Sequence, residues 1–209
     1  RFENGLLTNV VSVAPDGGYG FGPRHLDFHA SKPWVYVSLE RENKLDLFTL
    51  DGDALSPVPR FRKETLARPN NLLSRQAAGT VHVHPNGRFV YCANRADTTT
   101  EFEGQKVFVG GENNLATYTI NQETGEPTLI DNAETHGIHC RTFHIDPSGR
   151  LLVAAHIRPL LVREGATVRN MPASLSVCRI GNDGKLDFVR KYDVDVGNNT
   201  MFWMGMVSL

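Results

Sequence analysis

Three stretches of the chain are copies of one pattern. Pro23 to Glu40 (PRHLDFHASKPWVYVSLE), Ala78 to Arg95 (AGTVHVHPNGRFVYCANR) and Cys140 to Ile157 (CRTFHIDPSGRLLVAAHI) align residue for residue. His29 falls on His84 at an offset of 55 and on Asp146 at an offset of 117. Each copy holds an alternating run, a turn and a run rich in β-branched and aromatic residues. The turns are Ala30-Ser31-Lys32-Pro33, Pro85-Asn86-Gly87 and Pro147-Ser148-Gly149. Pro presets φ and Gly accepts φ > 0, so Pro-Asn-Gly and Pro-Ser-Gly between apolar runs predict hairpins. A fixed period of this kind has to be read before any local feature.

The second half of each unit repeats as well. Lys44 to Leu50 ends at Asp51-Gly52-Asp53, Leu115 to Ile120 at Asn121 to Gly125, and Leu175 to Ile180 at Gly181 to Gly184. A fourth short run follows each turn: Leu55 to Phe61, Pro127 to Ile130 and Leu186 to Tyr192. Each unit therefore reads as four antiparallel strands, a to d, with no helical periodicity between them. That is the signature of a β-propeller blade, whereas a β-sandwich gives strands without a register-keeping repeat. The expected fold is all-β: three blades, approximately 23–77, 78–138 and 139–200, with flanking strands at 5–14 and 201–209. Gly18 to Gly22 reads as the d–a connection entering the first blade.

Propellers close with 4 to 8 blades. Three blades leave two open apolar faces, so the rest of the ring is expected from the same gene product, another chain or self-association. The chain opens at Arg1 rather than Met, and the reading allows for a missing N-terminal part.

Composition narrows the partners. The 209 residues are 40% hydrophobic and 22% charged, with a formal net charge of −1, which gives no electrostatic case for nucleic acid or an anionic membrane. No apolar run approaches the roughly 20 residues of a membrane helix, and no signal-peptide pattern opens the chain. The expected location is cytoplasmic. Cys92, Cys140 and Cys178 are too few and too scattered for a disulfide framework or a zinc knuckle, and Cys92 and Cys178 fall in apolar runs as small buried residues. No nucleophile elbow, phosphate loop or dinucleotide fingerprint occurs, and no cofactor or metal is expected.

Meander topology assigns the chemistry to one face. Strand a lines the channel, and the d–a and b–c connections share one end. There the b–c connection is tight in the first blade and long in the other two, over Arg95 to Asn114 and His156 to Ala173. Long loops on one face of a scaffold are where sites concentrate. The residues where strand a begins and strand b ends are Arg24, His25 and Arg141, and Glu40, Asn94, Arg95 and His156. Glu40 and Arg95 are equivalent at an offset of 55, and Arg24 and Arg141 at 117. Arginine keeps its proton and its fork matches carboxylate or phosphate, so arginines around one mouth predict an anionic ligand. Glu40 among them is a candidate base or an ion-pair partner. Salt bridging between blades is the plainer reading of each charge. His82 and His84 share one strand face, and with His139 and His144 suggest a metal site only weakly. His84 sits where His29 and Asp146 sit, which favours a hairpin cap.

Taken together, these motifs resemble the seven-bladed lactonase family, which includes propeller-type 6-phosphogluconolactonase and carboxymuconate cyclase. The resemblance rests on Gly22-Pro23-Arg24-His25-Leu26 with Phe28-His29 and Glu40, on Val83 to Tyr91 with Asn94-Arg95, and on Arg141-Thr142-Phe143 with Asp146 to Arg150. It implies the C-terminal part of a seven-bladed ring and a channel-mouth cluster of Arg, His and Glu. Carried onto matching positions, it implies roles for Arg24, Glu40 and Arg95, and for His25 and Arg141; with the residues of the strand reading the catalytic candidates are Glu40, Arg24, Arg95 and His25, and the substrate-binding candidates Arg141, Asn94, His82 and His156. The implied activity is hydrolysis of an anionic sugar lactone such as 6-phosphogluconolactone, a step of carbohydrate metabolism. The alternatives are a carboxymuconate cyclase-like lactonizing isomerase and a non-catalytic binding platform. The family's pattern is departed from at Ala155-His156, in the two long b–c loops and in the apolar Met201-Phe202-Trp203-Met204.

Overall fold

The computed structural model describes residues 2–8, 13 and 20–207. Every element among them is a β-strand. A small hairpin, β1 (Phe2–Glu3) with β2 (Leu6–Leu7), comes first. The first blade is β3 (Pro23–Phe28), β4 (Trp34–Leu39), β5 (Lys44–Asp51), the short β6 (Ala54–Leu55) and β7 (Phe61–Glu64). The second is β8 (Ala77–Val83), β9 (Phe89–Arg95), β12 (Asn114–Ile120) and β13 (Pro127–Glu134), and the third β14 (Cys140–Ile145), β15 (Leu151–His156), β18 (Ser174–Ile180) and β19 (Leu186–Asp193). Each is an antiparallel meander with β3, β8 or β14 innermost. These inner strands approach one another while the outer strands diverge, the radial arrangement of a β-propeller.

The long b–c connections are not plain loops. The first folds into β10 (Thr99–Phe102) and β11 (Gln105–Phe108), the second into β16 (Leu160–Glu164) and β17 (Thr167–Met171). β11 and β16 pair in parallel, Val107 opposite Leu161, so the two hairpins form one four-stranded sheet bridging blades two and three. Their backbone groups are thus satisfied by pairing rather than left to solvent.

Three other expectations are corrected. The outer strand of the first blade was expected over Leu55 to Phe61; only Ala54–Leu55 and Phe61–Glu64 pair with β5, because Ser56 turns the chain out by bonding Val58 O. In the flanking run 5–14 only Leu6–Leu7 is a described strand, and positions 9–12 and 14 lie outside the described residues, as do 18 and 19 of the Gly-rich connection. Met201 to Val207 forms no strand; it leaves the third blade through Met201 N–H bonded to Ile157 O.

The blades are held by apolar clusters and by a repeated polar staple. Trp34, Tyr36, Leu45, Val81 and Tyr118 pack between blades one and two, and Phe89, Tyr91, Phe143 and Leu152 between two and three. His29 Nδ1 accepts from the amides of Ser31 and Lys32, capping its own hairpin, and His84 Nδ1 accepts from Asn86. Across the blade boundary His29 Nε2 meets Gly87 O at 2.9 Å and His84 Nε2 meets Gly149 O at 2.7 Å. Since Nε2 faces a carbonyl, it carries the proton and Nδ1 is the acceptor. Tyr36 Oη donates to Gly125 O and Tyr91 Oη to Gly184 O at the opposite hairpins. The repeated residues therefore cap within a blade and bond to the next. On the open face of the first blade Leu26 and Phe28 stand exposed.

Candidate active site

Glu40 follows β4 and is fixed by its backbone. Its N–H bonds Gly22 O and its carbonyl accepts from Ala78 N–H of the second blade. Its carboxylate is thereby held at the seam between two blades. All three inner strands break register at the same level: between Pro23 and His25, between Ala78 and Val81, and between Cys140 and Thr142. Such bulges re-aim a side chain and recur beside functional sites. Arg24 and Arg141 occupy two of these bulges. The third holds Gly79, where a Cβ would stand 3.2 Å from the Ala93 side chain and 3.6 Å from Arg95 Nε. The second blade thus places its arginine on strand b, with a glycine leaving room for it.

These residues converge. Arg95 Nη2 donates to Glu40 Oε1, and Arg24 Nε lies 3.8 Å from the same oxygen. Arg95 is 5% exposed, and its Nε has no partner, nor has Arg24 Nη1. Burial lowers the Arg24 guanidinium to about 10, with Arg95 and Arg141 adding repulsion and Glu40 opposing. Burial also lowers Arg95, against the attraction of Glu40. Two guanidiniums on one carboxylate, with Arg141 near enough to repel both, leave uncompensated positive charge and buried N–H groups free to bind an anion. A pocket of about 250 Å³ opens here, lined by Glu40, Arg75, Ala77, Arg95, Asp97 and His139.

Of the other expected site residues, His25 joins the cluster. Its ring stacks on Trp203, with centroids 5.6 Å apart, and burial followed by Arg24 lowers it to about 4. Arg141 has the Phe202 ring 3.8 Å from its guanidinium. The segment from Met201 thus reaches across the mouth to the first blade.

Of the expected residues only Glu40 and Arg95 line the pocket itself; Arg24, His25 and Arg141 belong to the charge cluster around it, and three others lie away from both. Asn94 alternates with Arg95 along β9 and turns the other way. It is fully buried, its amide donating to Thr65 O and to Asn114 Oδ1. His82 lies three residues beyond Gly79, roughly 10 Å down the channel at strand rise, with Nδ1 3.3 Å from Asp27 Oδ2 and its ring against Phe143 and His144. His156 is fully buried, Nδ1 3.0 Å from Ser174 Oγ, and packs so tightly under Gly137 that a Cβ there would come within 2.3 Å of its ring. Two residues that do line the pocket, Asp97 and His139, were not among the expected site residues. His139 takes φ 57°, as the equivalent Gly22 takes 53°, and that shared left-handed position after the same offset was the one available signal. No group of three or more His, Cys, Asp or Glu side chains among the described residues is placed to hold a metal ion.

Three histidines of this blade face are held neutral. Burial lowers His25, His139 and His156 from 6.5 to about 4. Between about pH 6.5 and 4 the unfolded chain therefore binds more protons than the folded one, and stability rises with pH across that window. Urea unfolding measured from pH 7 down to 4 is expected to show this loss, with close to three protons taken up on unfolding by these residues. Replacing His156 with glutamine is expected to reduce that uptake by about one proton.

Comparison with known proteins agrees with this fold. The sequence profile of the family described as "Lactonase, 7-bladed beta-propeller" matches residues 2–159. The 6-phosphogluconolactonase of Bacillus subtilis (strain 168) is 29% identical over 158 residues, covering 75% of this chain and 39% of that protein. That of Formosa agariphila is 30% identical over 148 residues, covering 71% and 36%. The structure of a periplasmic gluconolactonase from Pseudomonas aeruginosa superposes with a TM-score of 0.62 at 22% identity, covering 87% of this chain and 42% of that one. The chain thus spans about two fifths of the length of these relatives.

Proposed function

The chain belongs to the seven-bladed β-propeller lactonase family, and on that premise we propose that the protein hydrolyses an anionic sugar lactone of the 6-phosphogluconolactone type. The observation that carries this reading is the sharing of one carboxylate, Glu40, by Arg24 and Arg95 at the mouth of the channel. An anionic group of the substrate docks on the guanidiniums. Water adds to the lactone carbonyl, and Glu40 accepts the proton that the water loses. The carbonyl oxygen becomes an oxyanion facing fixed guanidinium N–H groups, which stabilise charge where it develops. The ring C–O bond then breaks, the ring oxygen takes the proton held on Glu40, which returns to its carboxylate form, and the aldonic acid leaves. His25, neutral at physiological pH and stacked on Trp203, shapes the mouth by packing rather than by charge. The remaining blades of a seven-bladed ring supply the rest of the channel wall.

Hydrolysis is favoured over lactonization because the curated relatives named above are called 6-phosphogluconolactonase. The test is turnover of 6-phosphogluconolactone by the intact protein, beside Glu40→Gln, which keeps the shape and removes the base. A fall in kcat of about 10² to 10⁴ is expected. Wild-type turnover in Glu40→Gln would remove Glu40 from the mechanism. Conversion of carboxymuconate with no lactone hydrolysis would make the protein an isomerase, and activity on neither would leave a binding platform.

A further inference from the structure

Arg95 is gripped on two sides. Besides Glu40 on Nη2, its Nη1 donates to Nε2 of His139 at 3.1 Å. On the far side of that ring Asp97 Oδ2 lies 2.9 Å from Nδ1, and Arg158 Nη2 stands 3.1 Å from the same oxygen. A guanidinium has five N–H donors and no acceptor. The His139 nitrogen facing it must therefore present a lone pair. The ring is neutral, because burial lowers it to about 4 even against the pull of Asp97. Its single proton then resides on Nδ1, within 2.9 Å of the Asp97 carboxylate, an electrostatic contact without the geometry of a hydrogen bond.

The pieces of this chain are placed by a separate clip. Asn113 Oδ1 accepts from the amides of Ala96 and His139, and Asn113 Nδ2 donates to Ala96 O. One side chain thus joins the residue before Asp97 to the backbone of His139, across the boundary between two connections. His139 is 13% exposed at the side chain and Arg95 5%, so the contact is largely withdrawn from water.

We propose that Asp97 and His139 are a positioning pair for Arg95: the carboxylate fixes the imidazole tautomer, and the tautomer decides whether Nε2 can hold the guanidinium against Glu40. Neither residue is asked to touch the reacting atoms. Arginine is a long side chain with much rotamer freedom to lose, and two anchors restrict it before substrate arrives. Reversal of the tautomer would set an N–H against the N–H groups of Arg95. At metal centres an outer partner that orients a ligating imidazole changes affinity or activity by about 10- to 100-fold, and an effect of that order is expected here.

The inference rests on the lactone reading for its kinetic consequence only. The deciding experiment is ¹⁵N NMR of the intact protein, which distinguishes the two imidazole tautomers and reports rotation of the Arg95 guanidinium. In the unmodified protein the Nδ1–H form of His139 and slow rotation of Arg95 are expected. In Asp97→Asn the amide can donate to Nδ1, and the Nε2–H form with fast rotation of Arg95 is expected at an unchanged unfolding midpoint. His139→Asn, which tolerates the left-handed backbone, frees Arg95 equally. The double variant is then expected to lose no more kcat/KM than His139→Asn alone, each single change costing at least tenfold. An Nε2–H tautomer in the unmodified protein, or Arg95 signals unchanged by Asp97→Asn, overturns the pair. Absence of lactone turnover with the spectra as expected overturns the lactone reading and leaves the pair standing.

Discussion

Replacing Arg95 with alanine is expected to lower kcat/KM for 6-phosphogluconolactone by about 100-fold or more. Truncating one partner of a buried, hydrogen-bonded charge pair costs about 2–5 kcal/mol, and each 1.4 kcal/mol is tenfold in rate. Arg95 qualifies on both grounds: it is buried, and it bonds Glu40 and His139 at once. Its loss strips the nearer of two cations from Glu40 and empties one side of the pocket. Arg95→Lys keeps the charge but cannot reproduce a planar fork spanning two acceptors. An intermediate rate is expected there, and it separates charge from geometry. Steady-state kinetics with an unfolding curve for each variant make the measurement. Wild-type kcat/KM in Arg95→Ala would mean that the cluster is an inter-blade ion pair and the chemistry lies elsewhere.

The largest effect on stability is expected at Gly184, in the turn between β18 and β19. Its φ is +85°, its carbonyl accepts from Tyr91 Oη of the preceding blade, and a Cβ there would stand 2.3 Å from the Phe89 ring. Gly184→Ala therefore combines left-handed strain of about 1–2 kcal/mol with overpacking of about 1–3 kcal/mol. A total loss of about 2–5 kcal/mol is expected from urea unfolding. Gly52, in the corresponding turn of the first blade, has φ +58° but nothing within 4 Å of its ideal Cβ. Gly52→Ala is thus expected to show the backbone cost alone. Equal losses at the two positions would mean that the Phe89 contact relaxes freely and that the staple contributes little.

The difference between those two glycines shows how far the sequence could be read. Both turns were legible as hairpins from their Gly and Asp residues. That one turn is wedged against the neighbouring blade was not, since Phe89 lies 95 residues away along the chain. His29 and His84 behave the same way. Their place before the turn predicted a cap, while their second bond, to the glycine of the next blade, exists only once the blades are stacked.

The candidate site divides along the same line. Matching offsets put Arg24, Arg141, Glu40 and Arg95 at one end of the blades, because a repeat that keeps register turns sequence distance into angular position around a ring. Offsets carry no information about depth along the channel or about which way a side chain points. His82 was counted among the substrate-binding residues although it lies lower in the channel. Asn94 was grouped with Arg95, although one residue along a strand reverses the face. His156 was grouped with the site although its ring fills the space under Gly137. The parallel pairing of β11 with β16 and the meeting of Asp97 with His139 join segments that the repeat does not relate. Local alternation and turn chemistry fixed the blade, and the period fixed the stacking. Which atoms meet at the mouth was decided by contacts between neighbouring blades, where burial and close packing select among side chains that the pattern alone leaves equivalent.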